Sequence, residues 1–402
     1  MFFKNELHDQ FGSWPVGYMA YGGADVGEVL AIGRAVGDGD DGAYHEAWIS
    51  AAERLVMEGE AALVSGRRTS ARELFLRASA FYSASYHPLY GELLDPRLVA
   101  AFRRQIDVFN RGLALSRRLV EPLRIPFEGM TLPAYFIPAV GREDDVRPLV
   151  IQTNGYDATV TEMYFASAVA ASRRGYHCLI FDGPGQGEML IEHGVRLRPD
   201  WETVVRAVVD FAVLLPRVDP ARIALSGWSL GGHLAPRAAS GEHRLAACIA
   251  DPGLWGIAAA FRGFAVKLGA TPQAAANLAE LDQELVDKMS KFIEADPRLR
   301  WTFTQRGYWV HGVDNLRDYF RSAEQFSLDG RAELIRCPTL VTMAENDALA
   351  STAQALFDAL CCPKELIRFT AMEGAGEHCE MMNRSLLNRR AFDWLDGVIG
   401  GG

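Results

Sequence analysis

The spacing of hydrophobic residues divides the chain into a helical first part and a mixed remainder. Apolar residues recur at helical spacing in three segments, Glu46 to Val64, Ser70 to Tyr86, and Pro96 to about Arg118. After about residue 120 the pattern changes to short apolar runs that alternate with amphipathic segments. We therefore predict a helical N-terminal domain at 1–120 that forms a cap, followed by a second domain at 121–402.

The second domain has the pattern of an α/β fold. Extended apolar runs predict strands at Leu123–Phe127, Thr131–Ile137, Arg147–Thr153, His177–Phe181, Arg222–Leu225, Ala246–Ala250, Thr339–Met343 and Leu366–Phe369. The first two runs flank Glu128-Gly129 and predict a hairpin. Helical segments separate most of the others, and a last helix is predicted at Arg389–Val398. This alternation is typical of a mainly parallel sheet with helices on both faces.

A long insertion interrupts this alternation at about 252–335, where no strand pattern is found. One crossover helix would suffice there, so the excess predicts a helical lid above the edge of the sheet that binds ligands in such folds. Two interpretations stay open for the large aromatic residues of the insertion, Trp255 and Phe261 among them. They line a substrate pocket, or they form the core of the lid itself.

One serine lies in the motif around which the second domain is organised. Gly227-Trp228-Ser229-Leu230-Gly231 follows a buried strand and precedes a helical segment. G-x-S-x-G in this context predicts a tight turn that lifts the serine oxygen above the sheet. The helix that follows presents free N–H groups, which favour negative charge beside the serine. We predict Ser229 as a nucleophile.

A serine hydroxyl needs a base and an acid to become reactive, and in this arrangement both follow the serine along the chain. His378 lies in a Gly-rich loop after the last strand and is the predicted base. His311 falls within the lid and is the weaker candidate. Asp347 lies on the loop beyond a strand end and is the predicted acid, with Glu345 and Asp251 as competitors.

Two backbone N–H groups are predicted to hold an oxyanion. One belongs to Leu230, directly after the nucleophile, and the other to Tyr156, in the loop after the third predicted strand. Candidate substrate contacts are the neighbours of these residues and two aromatics of the lid: Asp157, Trp228, Trp255 and Phe261.

Composition and charge narrow the possible partners. The formal net charge of -10, without a Lys/Arg run, argues against nucleic acid. No segment is long and apolar enough for a signal peptide or a membrane span, and six cysteines in a chain of 402 residues do not suggest a disulfide framework. A cytoplasmic protein without membrane association is therefore expected.

No cofactor is expected either. The Gly-rich segment Asp182–Glu188 lacks the Lys-Ser/Thr of a phosphate-binding loop, and the spacing of His, Cys and carboxylates does not suggest a metal site. A structural loop that borders the active-site edge is the better interpretation of this segment.

These motifs together carry a family resemblance. Phe181–Met189, the turn at Ser229 and the pair His378-Cys379 resemble 2,6-dihydroxypseudooxynicotine hydrolase and its relatives. The helical region adds Trp48 and the segments 51–54 and 60–63. This family consists of α/β-hydrolases and includes fungal enzymes that shorten polyketide pigment precursors. The resemblance implies an α/β-hydrolase fold and the hydrolysis of a carbon-carbon bond next to a ketone. It also implies a triad of Ser229, Asp347 and His378 without cofactor, and a homodimer.

The chemistry itself leaves alternatives open. The same groups would serve an ester, as in a general carboxylesterase, because only the leaving group differs. Two further alternatives remain. One is a lyase of this fold that expels a carboxylate, and the other is a binding module without catalysis. In each case the expected ligand is a small aromatic or polyketide-like molecule, since the lid is rich in aromatic residues.

Overall fold

One eight-stranded sheet organises the protein, whose computed structural model describes residues 1–116 and 120–400. The strands are β1 Glu121–Phe127, β2 Met130–Ile137, β3 Arg147–Thr153, β4 His177–Phe181, β5 Val218–Trp228, β6 Ala247–Asp251, β7 Thr339–Ala344 and β8 Lys364–Phe369. Their order is β1-β2-β4-β3-β5-β6-β7-β8. Strands β3 to β8 run parallel, while β2 pairs antiparallel with both β1 and β4. The predicted α/β class with a mainly parallel sheet is confirmed.

Most predicted strands occur where the apolar runs indicated them. The hairpin between β1 and β2 turns at Glu128 and Gly129, both with positive φ, which is the backbone form that two-residue hairpin loops favour. Strands β3 and β4 match the predicted bounds, and β5 is longer at both ends. The third predicted helix ends at Ala114 in the structure, and its predicted end at Arg118 lies outside the described residues.

The register of the parallel strands brings their carboxyl ends to one edge. Thr153 pairs with Gly227 in β5, Trp228 pairs with Asp251 in β6, and Ala344 pairs with Phe369 in β8. Residues that directly follow these positions therefore meet at the same edge, although the chain separates them by up to about two hundred residues.

Helices cover both faces of the sheet. They are α7 Val160–Met163 and α8 Val169–Arg173, joined by a π-helical turn at Tyr164–Ala168, then α9 Gly187–Ile191, α10 Trp201–Ala212, α11 Gly231–Ala239, α18 Ala353–Ala359 and α19 Arg384–Leu395. Short 3-10 turns at Ala348–Thr352, Ala371–Glu373 and His378–Asn383 and a π turn at Asp396–Gly400 complete the C-terminal part.

The N-terminal helices pack directly on this sheet. They are α1 Glu6–Gly12, α2 Trp14–Gly17, α3 Val26–Val36, α4 Asp41–Val64, α5 Arg68–Ser85 and α6 Pro96–Ala114, with 3-10 turns at Met19–Tyr21 and His87–Leu89. One hydrophobic core joins Phe11 and Phe102 to the strand residues Ile151 and Leu225. A second joins Trp48 to further strand residues. The helices and the sheet thus share their hydrophobic cores.

The insertion after β6 is helical, as predicted. It consists of α12 Ala258–Lys267, α13 Pro272–Ala275, α14 Gln283–Ala295, α15 Pro297–Leu299, a π-helical segment Arg300–Gly307, α16 Tyr308–His311 and α17 Leu316–Glu324, with 3-10 turns at Leu278–Glu280 and Ala332–Leu334. A small core of its own holds these helices together and includes Phe261, Met289 and Phe320. We refer to residues 252–335 as the lid.

Candidate active site

The turn between β5 and α11 exposes Ser229 in a strained backbone conformation. Its φ of 62° lies in the left-handed region, which residues other than glycine rarely adopt and which is often found at functional positions. Gly227 makes the turn possible, because a Cβ atom there would lie only 1.8 Å from the carbonyl oxygen of Gly231. The Ser229 N–H donates a hydrogen bond of 2.7 Å to the Asp251 carbonyl, which ties the turn to β6.

Three predicted residues from three loops form one hydrogen-bonded chain. His378 Nε2 lies 2.9 Å from Ser229 Oγ, and His378 Nδ1 lies 2.7 Å from Asp347 Oδ2. Asp347 is held further by the N–H of Leu349, at 2.9 Å from Oδ1. The Asp347 side chain is 3% exposed and that of His378 is 33% exposed. The buried carboxylate thus orients an imidazole that remains accessible at the rim.

The electrostatics of this chain suit a general base. Burial opposes the charged form of His378, but the carboxylates of Asp347, Asp251 and Asp157 outweigh it and raise the pKa of the imidazole above its usual value. Burial likewise opposes ionisation of Asp347, yet its interactions with His378 lower the pKa of this carboxyl. The imidazolium that forms when His378 takes a proton from the serine would therefore be stabilised by these carboxylates.

The competing residues have other partners. Glu345 accepts a hydrogen bond of 2.8 Å from the Ala371 N–H. Asp251 lies beneath the turn, where its carboxylate accepts hydrogen bonds of 2.9 Å from both Arg384 and the Thr342 hydroxyl. His311 lies in the lid, 2.7 Å from the Tyr156 hydroxyl. The structure thus places Asp347, and neither of the other two acids, in hydrogen-bonding contact with His378.

The loop after β3, residues 154–157, runs directly beside Ser229. A Cβ atom on Gly155 would lie 2.7 Å from the Cβ of Ser229, so only glycine permits this approach. The Gly155 N–H donates to Asn154 Oδ1 at 2.8 Å. The N–H groups of Tyr156 and Leu230, by contrast, donate no hydrogen bond within residues 1–116 and 120–400. They keep their donor capacity for another acceptor.

The Gly-rich segment Asp182–Glu188 supports this loop. Gln186 Nε2 donates to the carbonyls of Asn154 and Gly155 at 2.8 and 3.1 Å, and Gln186 Oε1 accepts the Gly183 N–H at 2.9 Å. In a trans peptide the C=O and the following N–H point in opposite directions. Because Gln186 binds the Gly155 carbonyl, the Tyr156 N–H is directed away from Gln186. The segment is therefore a structural support of the site.

A narrow cavity opens above Ser229 and His378. Its other lining residues are Trp14, Asn154, Gly155, Asp157, Ala158, Trp228 and Met381. The space open to the centres of water-sized molecules is about 10 Å³, enough for about one water molecule.

The cavity includes residues that the sequence did not indicate and excludes two that it did. Trp14 and Met381 were not predicted, and no motif marks them. Phe261 is 1% exposed and packs on Phe303, Tyr319 and Phe320 in the lid core. Trp255 binds Asp329 through its indole N–H and does not line the cavity. Neither Phe261 nor Trp255 lines this cavity, and both side chains make contacts within the lid, so their predicted roles as substrate contacts stay predictions.

Two polar contacts join the loop 154–157 to the lid. Arg306 donates a hydrogen bond of 2.9 Å to Asp157 Oδ2, in an ion pair whose side chains are 14% and 9% exposed. The Tyr156 hydroxyl lies 2.7 Å from His311 Nε2, and His311 Nδ1 lies 2.7 Å from the Ser322 hydroxyl. Arg306 also stacks over the Tyr156 ring, at 4.4 Å from its centre. The position of the loop thus depends on the position of the lid.

Metal sites and membrane spans were searched over the described ranges. Residues 1–116 and 120–400 contain no group of three or more His, Cys, Asp or Glu side chains arranged to hold a metal ion. Within the same ranges, none of the helices combines the length and the apolar character needed to cross a bilayer.

Comparison with known proteins identifies the family. The model of the alpha/beta hydrolase family matches residues 154–387. The chain is 34% identical to the hydrolase acrC of Aspergillus aculeatus, over 93% of this chain and 92% of that protein. It is 32% identical to the 20-hydroxy-prefusarin hydrolase FUS2 of Gibberella moniliformis, over 96% and 94% of the two chains.

A solved structure shares the whole fold. The crystal structure of 2,6-dihydroxy-pseudo-oxynicotine hydrolase aligns with a TM-score of 0.73 at 22% identity, over 95% of both chains. The resemblance drawn from the sequence motifs and the predicted fold are both confirmed. The chain belongs to the alpha/beta hydrolase family.

Proposed function

We propose that this protein is a serine hydrolase that cleaves a carbon-carbon bond next to a ketone, or an ester, in an aromatic or polyketide-like small molecule. Ser229 is the nucleophile, His378 the general base and acid, and Asp347 the group that orients the imidazole. The observation that carries the proposal is the hydrogen-bonded chain from Asp347 through His378 to Ser229, with distances of 2.7 and 2.9 Å.

In the first half-reaction the Ser229 oxygen attacks the substrate carbonyl while His378 takes its proton. The N–H groups of Leu230 and Tyr156, which donate no hydrogen bond within the described residues, stabilise the oxyanion. The tetrahedral intermediate collapses by breaking the bond to the leaving group, which departs with the electron pair as an enolate or an alkoxide. Protonated His378 returns the proton to that group. The products are an acyl-serine and a neutral leaving group.

In the second half-reaction a water molecule replaces the leaving group. His378 takes a proton from the water, whose oxygen forms a bond to the acyl carbon. The bond between the acyl carbon and Ser229 then breaks, and His378 returns the proton to the serine oxygen. One water molecule is consumed for each bond cleaved, and a carboxylic acid is released.

The substrate class in the proposal is supported by the walls of the cavity. Trp14 and Trp228 supply flat apolar surfaces, and Met381 supplies a flexible one. The ring of Trp14 lies 6.2 Å from that of Trp228, centre to centre. Such walls suit a planar or extended apolar molecule better than a sugar or a peptide backbone. One similar protein is a 20-hydroxy-prefusarin hydrolase, and the proposal places this chain among hydrolases of comparable small molecules.

Covalent labelling tests the nucleophile. Native protein treated with a fluorophosphonate and digested should show the adduct on the peptide that contains Ser229. Ser229→Ala should lose the label together with turnover of an aryl ester and of a β-diketone. Ser226→Ala, a serine three residues earlier on β5, is the matched control and should keep the label.

The outcomes separate the alternatives. Turnover of the β-diketone but not of the aryl ester favours carbon-carbon cleavage, and the reverse favours a carboxylesterase. An elimination activity that persists in Ser229→Ala would indicate a lyase. Absence of label and of turnover with every acyl probe would overturn the proposed function.

A further inference from the structure

One oxygen of a buried carboxylate in the cavity has no partner. Asp157 lines the cavity together with Ser229 and His378, and the residue is 8% exposed. Its Oδ2 accepts a hydrogen bond of 2.9 Å from Arg306. Its Oδ1 is buried and has no hydrogen-bond partner within the described residues. Buried polar atoms are nearly always paired in folded proteins, so an unpaired carboxylate oxygen on a residue that lines the same cavity as Ser229 calls for an explanation.

Asp157 is held both at its backbone carbonyl and, through Arg306, at its carboxylate. The Asp157 carbonyl accepts a hydrogen bond of 2.9 Å from the Tyr90 hydroxyl and lies 3.2 Å from His87 Nε2. The guanidinium of Arg306 is itself held over the rings of Tyr156 and Trp301, at 4.4 and 5.1 Å from their centres. Asp157 Oδ1 therefore cannot easily turn away to find a partner elsewhere in the protein.

From this geometry we infer that Asp157 Oδ1 accepts a hydrogen bond from a hydroxyl group of the substrate, close to the carbonyl that Ser229 attacks. The inference rests on the proposed function and names its substrate class. That class is a hydroxylated carbonyl compound, such as a β-hydroxy ketone or a hydroxy ester, and Asp157 is the residue that selects it.

The charge balance favours a neutral hydroxyl over an ammonium group. Arg306 already neutralises the carboxylate, in an ion pair that is largely shielded from solvent. A substrate cation would find no excess negative charge at this pair. A hydroxyl needs only the free lone pair, and a hydrogen bond to an ionised acceptor is stronger than one between neutral groups. A substrate without this hydroxyl would leave the buried oxygen unpaired, which is the condition under which sites reject close analogues most strongly.

Three aryl esters that differ at one position test the inference with native protein. They are 4-nitrophenyl esters of three acids. Butanoic acid has no polar group at the third carbon, 3-hydroxybutanoic acid has a hydrogen-bond donor there, and 3-methoxybutanoic acid has only an acceptor. The hydroxy ester should exceed the plain ester in kcat/KM by about 10- to 100-fold, the range given by a hydrogen bond to a charged group. The methoxy ester should be the poorest, because its oxygen faces the carboxylate oxygen.

Asp157→Asn should weaken or reverse this preference. Arg306 donates to Oδ2, so the amide oxygen of the new side chain takes that place and its NH2 group takes the place of Oδ1. The acceptor at this position thereby becomes a donor. The ratio of the hydroxy ester to the methoxy ester should fall by at least tenfold. The matched control is Glu202→Gln, which alters a half-buried carboxylate paired with Arg237 at 2.9 Å outside the cavity and should leave the ratio unchanged.

The results separate this inference from the proposed function. If Ser229 is labelled and all three esters are hydrolysed at similar kcat/KM, the inference is overturned while the serine mechanism stands. The native ratios decide this even if Asp157→Asn fails to fold. If no ester is turned over, calorimetric binding of the hydroxy and methoxy esters still tests the inference, and equal affinities would overturn it.

Discussion

The two sides of the candidate active site are built in different ways. On one side, Ser229, Asp347 and His378 follow the carboxyl ends of β5, β7 and β8, so the register of the sheet brings them together. On the other side, the loop 154–157 takes its position from distant elements. Its Asp157 is bound by Tyr90 and Arg306, which are 67 and 149 positions away along the chain.

This difference separates the residues of the proposed chemistry from those of the proposed selectivity. The first side depends on the register of the sheet, which the fold itself fixes, so it suits the reaction steps that we propose. The second side changes whenever the lid or the N-terminal helices change. We therefore expect substrate selectivity to be set on this side.

The largest expected effect is on the first side. Asp347→Asn should lower kcat for an aryl ester by about 10⁴-fold, because the amide no longer holds the imidazole in the tautomer that accepts the serine proton. The measurement is steady-state kinetics with folding checked by circular dichroism. Glu345→Gln, two residues away and bonded to the Ala371 N–H, is the matched control and should remain near native activity. Equal losses in the two variants would contradict the assignment of the acid.

The residues of the first side could be predicted from the sequence. The order serine, acid, histidine and the position of each residue after an apolar run were sufficient to select Ser229, Asp347 and His378 as candidates. The strands were predictable for the same reason, since buried parallel strands are short, continuous apolar runs between helices.

On the second side, the sequence indicated Tyr156 and Asp157 from their position after the third predicted strand. The partners that hold this loop could not be predicted, because their contacts are tertiary. Nothing in the sequence near Trp14 indicates that α2 lies over the cavity, and Arg306 is one arginine among many. For the aromatic residues of the lid, the sequence likewise did not indicate which surface each side chain contacts. Phe261 and Trp255 are residues of the type that lines substrate pockets. In the structure, however, Phe261 packs in the core of the lid and Trp255 binds Asp329 within the lid. Composition indicates that an apolar residue is buried, but not against which surface.

A second prediction tests the support of the loop from the sheet side. Gln186→Ala removes the donor to the Asn154 and Gly155 carbonyls and should release the peptide that carries the Tyr156 N–H. Loss of one oxyanion donor costs about 10²-fold or more in kcat, so a decrease of about 10²-fold is expected, with KM nearly unchanged. Gln354→Ala, at a surface position bonded to Arg368, is the control. A change in KM alone would show that Gln186 does not act through the oxyanion site.

A smaller effect is expected from the contact between the loop and the lid. Tyr156→Phe removes the hydroxyl bonded to His311 but keeps the ring under Arg306. The loss of one neutral hydrogen bond corresponds to about 2- to 10-fold, which should be seen in KM. Hydrogen exchange should also accelerate in α16 and α17. Tyr308→Phe, whose ring packs on Tyr319 in the same lid, is the matched control. Equal exchange rates in the two variants would show that the hydrogen bond between Tyr156 and His311 does not hold the lid.

The smallest expected effect joins the two sides through charge. The raised pKa of His378 owes part of its shift to the carboxylate of Asp157, after Asp347 and Asp251. Activity requires the neutral imidazole, so kcat/KM should rise with pH through a value above 6.5 in native protein. Asp157→Asn removes a negative charge that stabilises the imidazolium and leaves Arg306 uncompensated. Both changes lower the pKa of His378, so the rising limb should move to lower pH.

The direction of this change separates a charge effect from a packing effect. A cavity that merely loosened around His378 would let water in and lessen the effect of burial, which by itself lowers the pKa of the imidazole. The limb would then move to higher pH. Glu202→Gln, which alters an ion pair outside the cavity, should leave the limb in place. Profiles measured with the plain butanoate ester keep the comparison independent of the hydroxyl contact. A shift of the rising limb to lower pH in Asp157→Asn, and not in Glu202→Gln, would show that the loop 154–157 also influences the pKa of His378 on the opposite side of the site.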